Sequence, residues 1–172
     1  MVFLEAPNSS DAPRIEGKRC AQQLIDLASQ EECSVAAVHA TPESLVGRYG
    51  TLSGKWVPNL PGVVQIERIL EKPSLSRAEL EVQMPGLRVG YYLCFFGMHV
   101  LTPALFTLLE EEQKRLGPGG REIQLTPSLQ ELARREKYLA LQARGGRYDL
   151  GAKFGLLRAQ IALALGGRER DA

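Results

Sequence analysis

The apolar positions of this 172-residue chain change period repeatedly, which divides it into short helices and strands. From Arg19 onward, Ala21, Leu24, Ile25, Leu27 and Ala28 recur at helical spacing with Cys20 on the same face, predicting a helix over 18–30. SVAAV (34–38) is a short apolar run with two valines and reads as a covered strand. Residues 41–56 hold Pro42, Gly47, Gly50 and Gly54, predicting loop with at most one helical turn before Tyr49. VVQIERI (63–69) reads as another strand, and the β-branched and aromatic stretch 88–101 as the sheet centre, one long strand or two short ones broken near Gly97.

Two Thr-Pro pairs, Thr102-Pro103 and Thr126-Pro127, each offer a hydroxyl cap followed by a proline at the first helical position. The first predicts a helix with Leu105, Phe106, Leu108, Leu109 and Leu116, stopped by GPGG (117–120). The second predicts a helix to about Arg135 with Leu129, Leu132 and Ala133 inward. A short strand over 137–142, a turn at Gly145-Gly146 and a last amphipathic helix defined by Phe154, Leu157, Ile161 and Leu165 complete the pattern. Residues 1–17 show neither period and form an irregular lead-in, while 168–172 form a tail. The order of elements is that of an α/β protein, and the paired helices and long glycine-bearing loops favour a doubly wound sheet over a regular barrel.

Size and composition agree with one folded domain, since 44% of residues are hydrophobic. Lys+Arg 21 against Asp+Glu 20 leaves no net field to hold nucleic acid or an anionic membrane. Cys20, Cys33 and Cys94 match no clustered metal or redox spacing, so any metal here is expected on oxygen ligands. The opening residues lack the basic start of a secretion signal, and 89–101 is too short for a membrane helix, so a cytoplasmic protein is expected.

Glu71-Lys72-Pro73 stands just past a strand end, where an open α/β sheet presents ligand groups. Pro73 biases Lys72 toward extended backbone. Glu71 can accept from hydroxyls and Lys72 can neutralise a phosphate, although a solvated surface ion pair explains the same residues. Gly97 within an apolar strand fits a bulge or a ligand approaching the backbone, and His99 reads as a satisfied core histidine. Arg121 and Glu122 follow a flexible turn and are open to a surface reading. Asp149 precedes the last helix either as a cap or as one Mg²⁺ ligand facing phosphates, the second role needing another carboxylate from elsewhere.

The ordered blocks ESLVGRYGTLSG (43–54), LEKP (70–73), FGMHVLTP (96–103), GGREIQLTPSLQEL (119–132) and GGRYDLGAKFGLLRAQIALAL (145–165) resemble UTP–glucose-1-phosphate uridylyltransferase, a sugar nucleotidyltransferase family. The resemblance implies an incomplete Rossmann-like nucleotidyltransferase fold with a mostly parallel sheet flanked by helices, residues 18–167 being the C-terminal part of that domain. It also implies UTP and glucose 1-phosphate as substrates, Mg²⁺ as cofactor, and UDP-glucose and pyrophosphate as products. Glu71 would contact the glucose hydroxyls, Lys72 the sugar phosphate as the catalytic cation, Gly97 the sugar ring through its backbone, Glu122 the sugar side of the cleft, and Asp149 the metal. These residues are expected to line one cleft.

The family's glycine-rich nucleotide-binding segment has no counterpart upstream of Cys20, so the likeness covers the central and C-terminal portion only. Leu150 stands where the family usually has cysteine, and Pro127 where it has aspartate. The chain alone is therefore expected to lack uridylyltransferase activity. The alternatives are a non-catalytic sugar-phosphate-binding module and a structural partner that completes another chain's sheet. Self-association, or pairing with a complementary N-terminal segment, is expected to cover the sheet's open edge.

Overall fold

The computed structural model describes residues 2–4, 18–117 and 123–166. Along the chain come β1 (Val2–Leu4), α1 (Cys20–Glu31), β2 (Ser34–Pro42), a 3-10 helix (Glu43–Arg48), β3 (Thr51–Trp56) and β4 (Val63–Leu70). Then follow α2 (Leu75–Glu81), β5 (Tyr91–Val100), α3 (Ala104–Leu116), α4 (Leu125–Arg135), β6 (Tyr138–Gln142), β7 (Gly146–Tyr148) and α5 (Gly155–Gly166). They fall into two compact units, 24–142 and the pair of segments 1–23 and 143–172.

In the larger unit the strands run in the order β2-β5-β3-β4-β6, and β6 returns to β2 to close a ring. The β2–β6 pairing is parallel and the other four are antiparallel. The α/β class holds, but the expectation of a mostly parallel, doubly wound sheet is corrected. Two of the antiparallel pairings, β2–β5 and β4–β6, join strands that the sequence does mark, and the other two come from β3, which the glycines and proline of 41–56 disguise as loop. It inserts between β4 and β5 and pairs antiparallel to both, through Thr51 with Leu70 and Cys94.

Alternation along β5 supplies two cores from one strand. Leu93 and Phe95 join Leu52, Val64, Ile66, Leu105, Leu108, Leu129 and Leu132, so α3 and α4 cover this side. Tyr92 and Cys94 join Val46, Leu70, Ala78 and Val82, beneath α2 and the 3-10 helix. The short helix α2, capped by the Ser74 hydroxyl on the Arg77 amide at 3.3 Å, has no counterpart in the sequence reading.

The smaller unit pairs β1 antiparallel with β7, so the lead-in contains a strand at Val2–Leu4. Its helix α5 buries Gly155 and Ala159 while Phe154, Leu157, Ile161 and Leu165 are exposed. The large apolar stripe expected inward thus faces out, and the helix packs through its small residues. Among the described residues, no helix is long and apolar enough to cross a membrane.

Candidate functional site

Strands β4 and β5 both run antiparallel to β3, so their C-terminal ends emerge on the same side of the sheet. Glu71 lies one residue past Leu70, and Gly97 three past Cys94, the two residues that flank Thr51. Two strand spacings, about 10 Å, separate these rows. Gly50 lies between them: its carbonyl accepts the Phe95 amide at 2.8 Å. A Cβ there would meet both the Phe95 ring at 3.1 Å and Glu71 Oε2 at 3.2 Å. The glycine therefore makes the room in which the carboxylate sits.

Gly97 occupies a left-handed conformation, φ +79, within an irregularity where β5 carries extra residues opposite the step from Ala36 to Val38. No atom lies within 4 Å of where its Cβ would be. The bulge reading and the approach reading are thus compatible: the kink bares a stretch of backbone to open space.

Glu71 Oε2 accepts the Thr126 hydroxyl at 2.7 Å, while Lys72 Nζ lies 3.8 Å from Oε1. The ion pair is loose and half exposed, a geometry that contributes little, so Thr126 holds the carboxylate more firmly than its neighbour does. Lys72 itself has φ +42, not the extended backbone that Pro73 favours. The turn out of β4 overrides that bias, and such left-handed non-glycine residues carry on the order of 1–3 kcal/mol of strain.

Beside this end, His99 contacts the Tyr138 hydroxyl through Nδ1 at 2.8 Å and the Phe95 ring at 5.4 Å between centroids. Burial lowers its pKa to about 4 and raises that of the Tyr138 hydroxyl. It is the satisfied, neutral histidine the sequence predicts.

Asp149 belongs to the smaller unit. Its Oδ1 accepts the Gly151 amide at 3.0 Å, and the turn occupies the residues before α5 begins at Gly155. The carboxylate therefore orders a turn instead of capping α5 directly. Among the described residues no three His, Cys, Asp or Glu side chains gather into a metal site. Asp149 is thus one oxygen ligand, to which a second carboxylate would have to be added for a Mg²⁺ site. Glu122 and Arg121 lie outside the described residues.

The sequence reading missed Gly50, Thr126 and Gln130. Thr126 was expected to cap α4, but the helix starts at Leu125 with Gln124 as its cap, so the hydroxyl is already inside the first turn and is available to Glu71. The Thr102 signal fails similarly: α3 is capped at Pro103, and the Thr102 hydroxyl donates to Glu136.

No protein-family model matches the chain. The structural comparison gives the class first, since the fold is that of part of a nucleotidyltransferase. A UDP-glucose pyrophosphorylase solved in complex with UDP-glucose superposes with a TM-score of 0.68 at 29% identity, over 87% of this chain and 50% of that one. The sequence comparison then gives the family. A UTP–glucose-1-phosphate uridylyltransferase of Streptococcus pneumoniae is 31% identical over 84% of this chain and 43% of its own length. One from Streptococcus pyogenes is 30% identical over 95% of this chain and 49% of its own. This chain is a relative of the UTP–glucose-1-phosphate uridylyltransferases, and it spans about half the length of the curated relatives it matches.

Proposed function

We propose that this chain carries the sugar-phosphate side of a uridylyltransferase site. In the whole protein it would serve uridylyl transfer from UTP to glucose 1-phosphate, giving UDP-glucose and pyrophosphate. The observation that carries the reading is the placement of a carboxylate, an ammonium and an open backbone stretch at one end of the sheet, through Glu71, Lys72 and Gly97.

In such a transfer an oxygen of the sugar phosphate attacks the α-phosphorus of UTP in line. The bond to the bridging oxygen breaks, and pyrophosphate leaves with its electron pair. No protein nucleophile takes part, so the chain's task is to hold two anions together and offset their charge. Lys72 is the group assigned to the sugar phosphate, and Glu71 accepts from ring hydroxyls. Gly97 lets the sugar approach the backbone without a side chain in the way. Glu122 is assigned to the sugar side on the strength of the resemblance alone. Mg²⁺, when bound, supplies further positive charge to the phosphates, and Asp149 is the residue assigned to hold it with one oxygen. The nucleotide contacts are assigned to the family's glycine-rich segment, outside the blocks that carry the resemblance.

Calorimetric titration of this chain with glucose 1-phosphate, without nucleotide, tests the reading. Saturable binding that weakens at least about tenfold in Lys72→Ala is expected, the size of one lost charge-assisted contact. Absent binding, or binding indifferent to Lys72→Ala, overturns it.

A further inference from the structure

Among the described residues, strand β4 has a strand partner on its β6 side only through Val63, Val64 and Gln65. Beyond Gln65 that side of the strand is met by a side chain of α4. Gln130 Oε1 accepts the Ile69 amide at 2.7 Å, and its Nε2 donates to the Glu67 carbonyl at 3.1 Å. One side-chain amide thus makes the pair of bonds that the N–H and C=O of a single residue of a parallel neighbouring strand would make, just before the chain reaches Glu71. Four residues earlier, and so on the same face of α4, is Thr126, whose hydroxyl holds Glu71 Oε2 at 2.7 Å. A Cβ at Gly50 would come within 3.2 Å of the same oxygen, so the glycine leaves it room.

We propose that Thr126 and Gln130 form a positioning element for the site. Gln130 fixes the path of the β4 end, and Thr126 fixes the rotation of the Glu71 carboxylate, leaving Oε1 directed to ligand hydroxyls. The inference rests on the sugar-phosphate reading and deepens it. It states that α4 governs recognition of the sugar hydroxyls and leaves capture of the phosphate to Lys72. Neither residue touches the reacting atoms, so both act through Glu71.

The test compares glucose 1-phosphate with methyl phosphate, which has the same anion and no sugar hydroxyls. Thr126→Val should weaken glucose 1-phosphate about tenfold, the range for a hydrogen bond to a charged group, and leave methyl phosphate unchanged. Thr126→Ser should restore binding, and in a Glu71→Gln background Thr126→Val should have no further effect. Gln130→Met should accelerate hydrogen exchange of the Ile69 amide and weaken glucose 1-phosphate; if it fails to fold, Gln130→Glu, which keeps the acceptor and loses the donor, should give the binding loss alone. A Thr126→Val effect equal for both ligands, or none, overturns the inference, as does unchanged Ile69 exchange in folded Gln130→Met. Wild-type protein that binds no glucose 1-phosphate while its Ile69 amide stays protected overturns the underlying reading instead, and the inference with it.

Discussion

The carboxylate of Glu71 is held by the hydroxyl of Thr126 at 2.7 Å, across 55 residues of sequence. This bond ties the end of β4 to the first turn of α4. A threonine that looks like a helix cap does not cap here because the helix starts before it, at Leu125, which leaves its hydroxyl to donate to Glu71. A carboxylate steadied on one oxygen, in a side chain about half exposed, is suited to accept from hydroxyls of a bound ligand.

Replacing Gly97 by alanine separates strain from contact. The new methyl has open space, but φ +79 is unfavourable for any residue with a Cβ. Chemical denaturation should show a loss of about 1–2 kcal/mol, and glucose 1-phosphate should bind more weakly because the methyl projects into the space assigned to the sugar. Unchanged affinity in a folded Gly97→Ala protein would remove Gly97 from the site.

Gly155→Ala probes the turn that carries Asp149. A Cβ there would lie 1.8 Å from the Asp149 carbonyl oxygen, so the backbone must move. A loss of roughly 1–3 kcal/mol is expected from such overpacking, with faster exchange of the Gly151 amide that Asp149 holds. Wild-type stability and exchange in this variant would contradict the close approach.

How far these features can be read from sequence depends on how local their causes are. The strand β5 and the helices α1, α3 and α4 announce themselves through period and glycine stops. β3 does not, because Gly54 and the preceding Gly50 imitate loop, and strand direction is not local either, since β2–β5 and β4–β6 pair antiparallel across long stretches of sequence. The large stripe of α5 was assigned inward on size, whereas the helix packs on Gly155 and Ala159. At the site, Glu71, Lys72 and Gly97 stand out by position relative to strand ends. Gln130 does not, since its partners Ile69 and Glu67 lie 61 and 63 residues away and no local pattern marks the bond.

Stability should depend on pH through His99. Burial lowers its pKa from 6.5 to about 4. Between these values the unfolded chain binds more protons than the folded one, so stability rises with pH across that window and falls as pH drops from 6.5 toward 4. The full effect is on the order of 3 kcal/mol. Urea titrations from pH 4 to 7 should show this slope in the wild type and a flatter one in His99→Gln; equal slopes would assign the dependence elsewhere.

The purified 172-residue chain, given UTP, glucose 1-phosphate and Mg²⁺, should form no measurable UDP-glucose. A coupled pyrophosphate assay reads this directly. Turnover at a rate proportional to the amount of this chain would show that the nucleotide contacts lie within it.

The most direct test of the sugar-phosphate site is residue-resolved NMR of the labelled chain during titration with glucose 1-phosphate. The amides of Glu71, Lys72, Gly97 and Thr126 should shift together along one saturation curve, with little change around Trp56 and Lys55 at the opposite end of β3. Shifts confined to other surfaces, or no saturable shift at these four amides, would contradict the account.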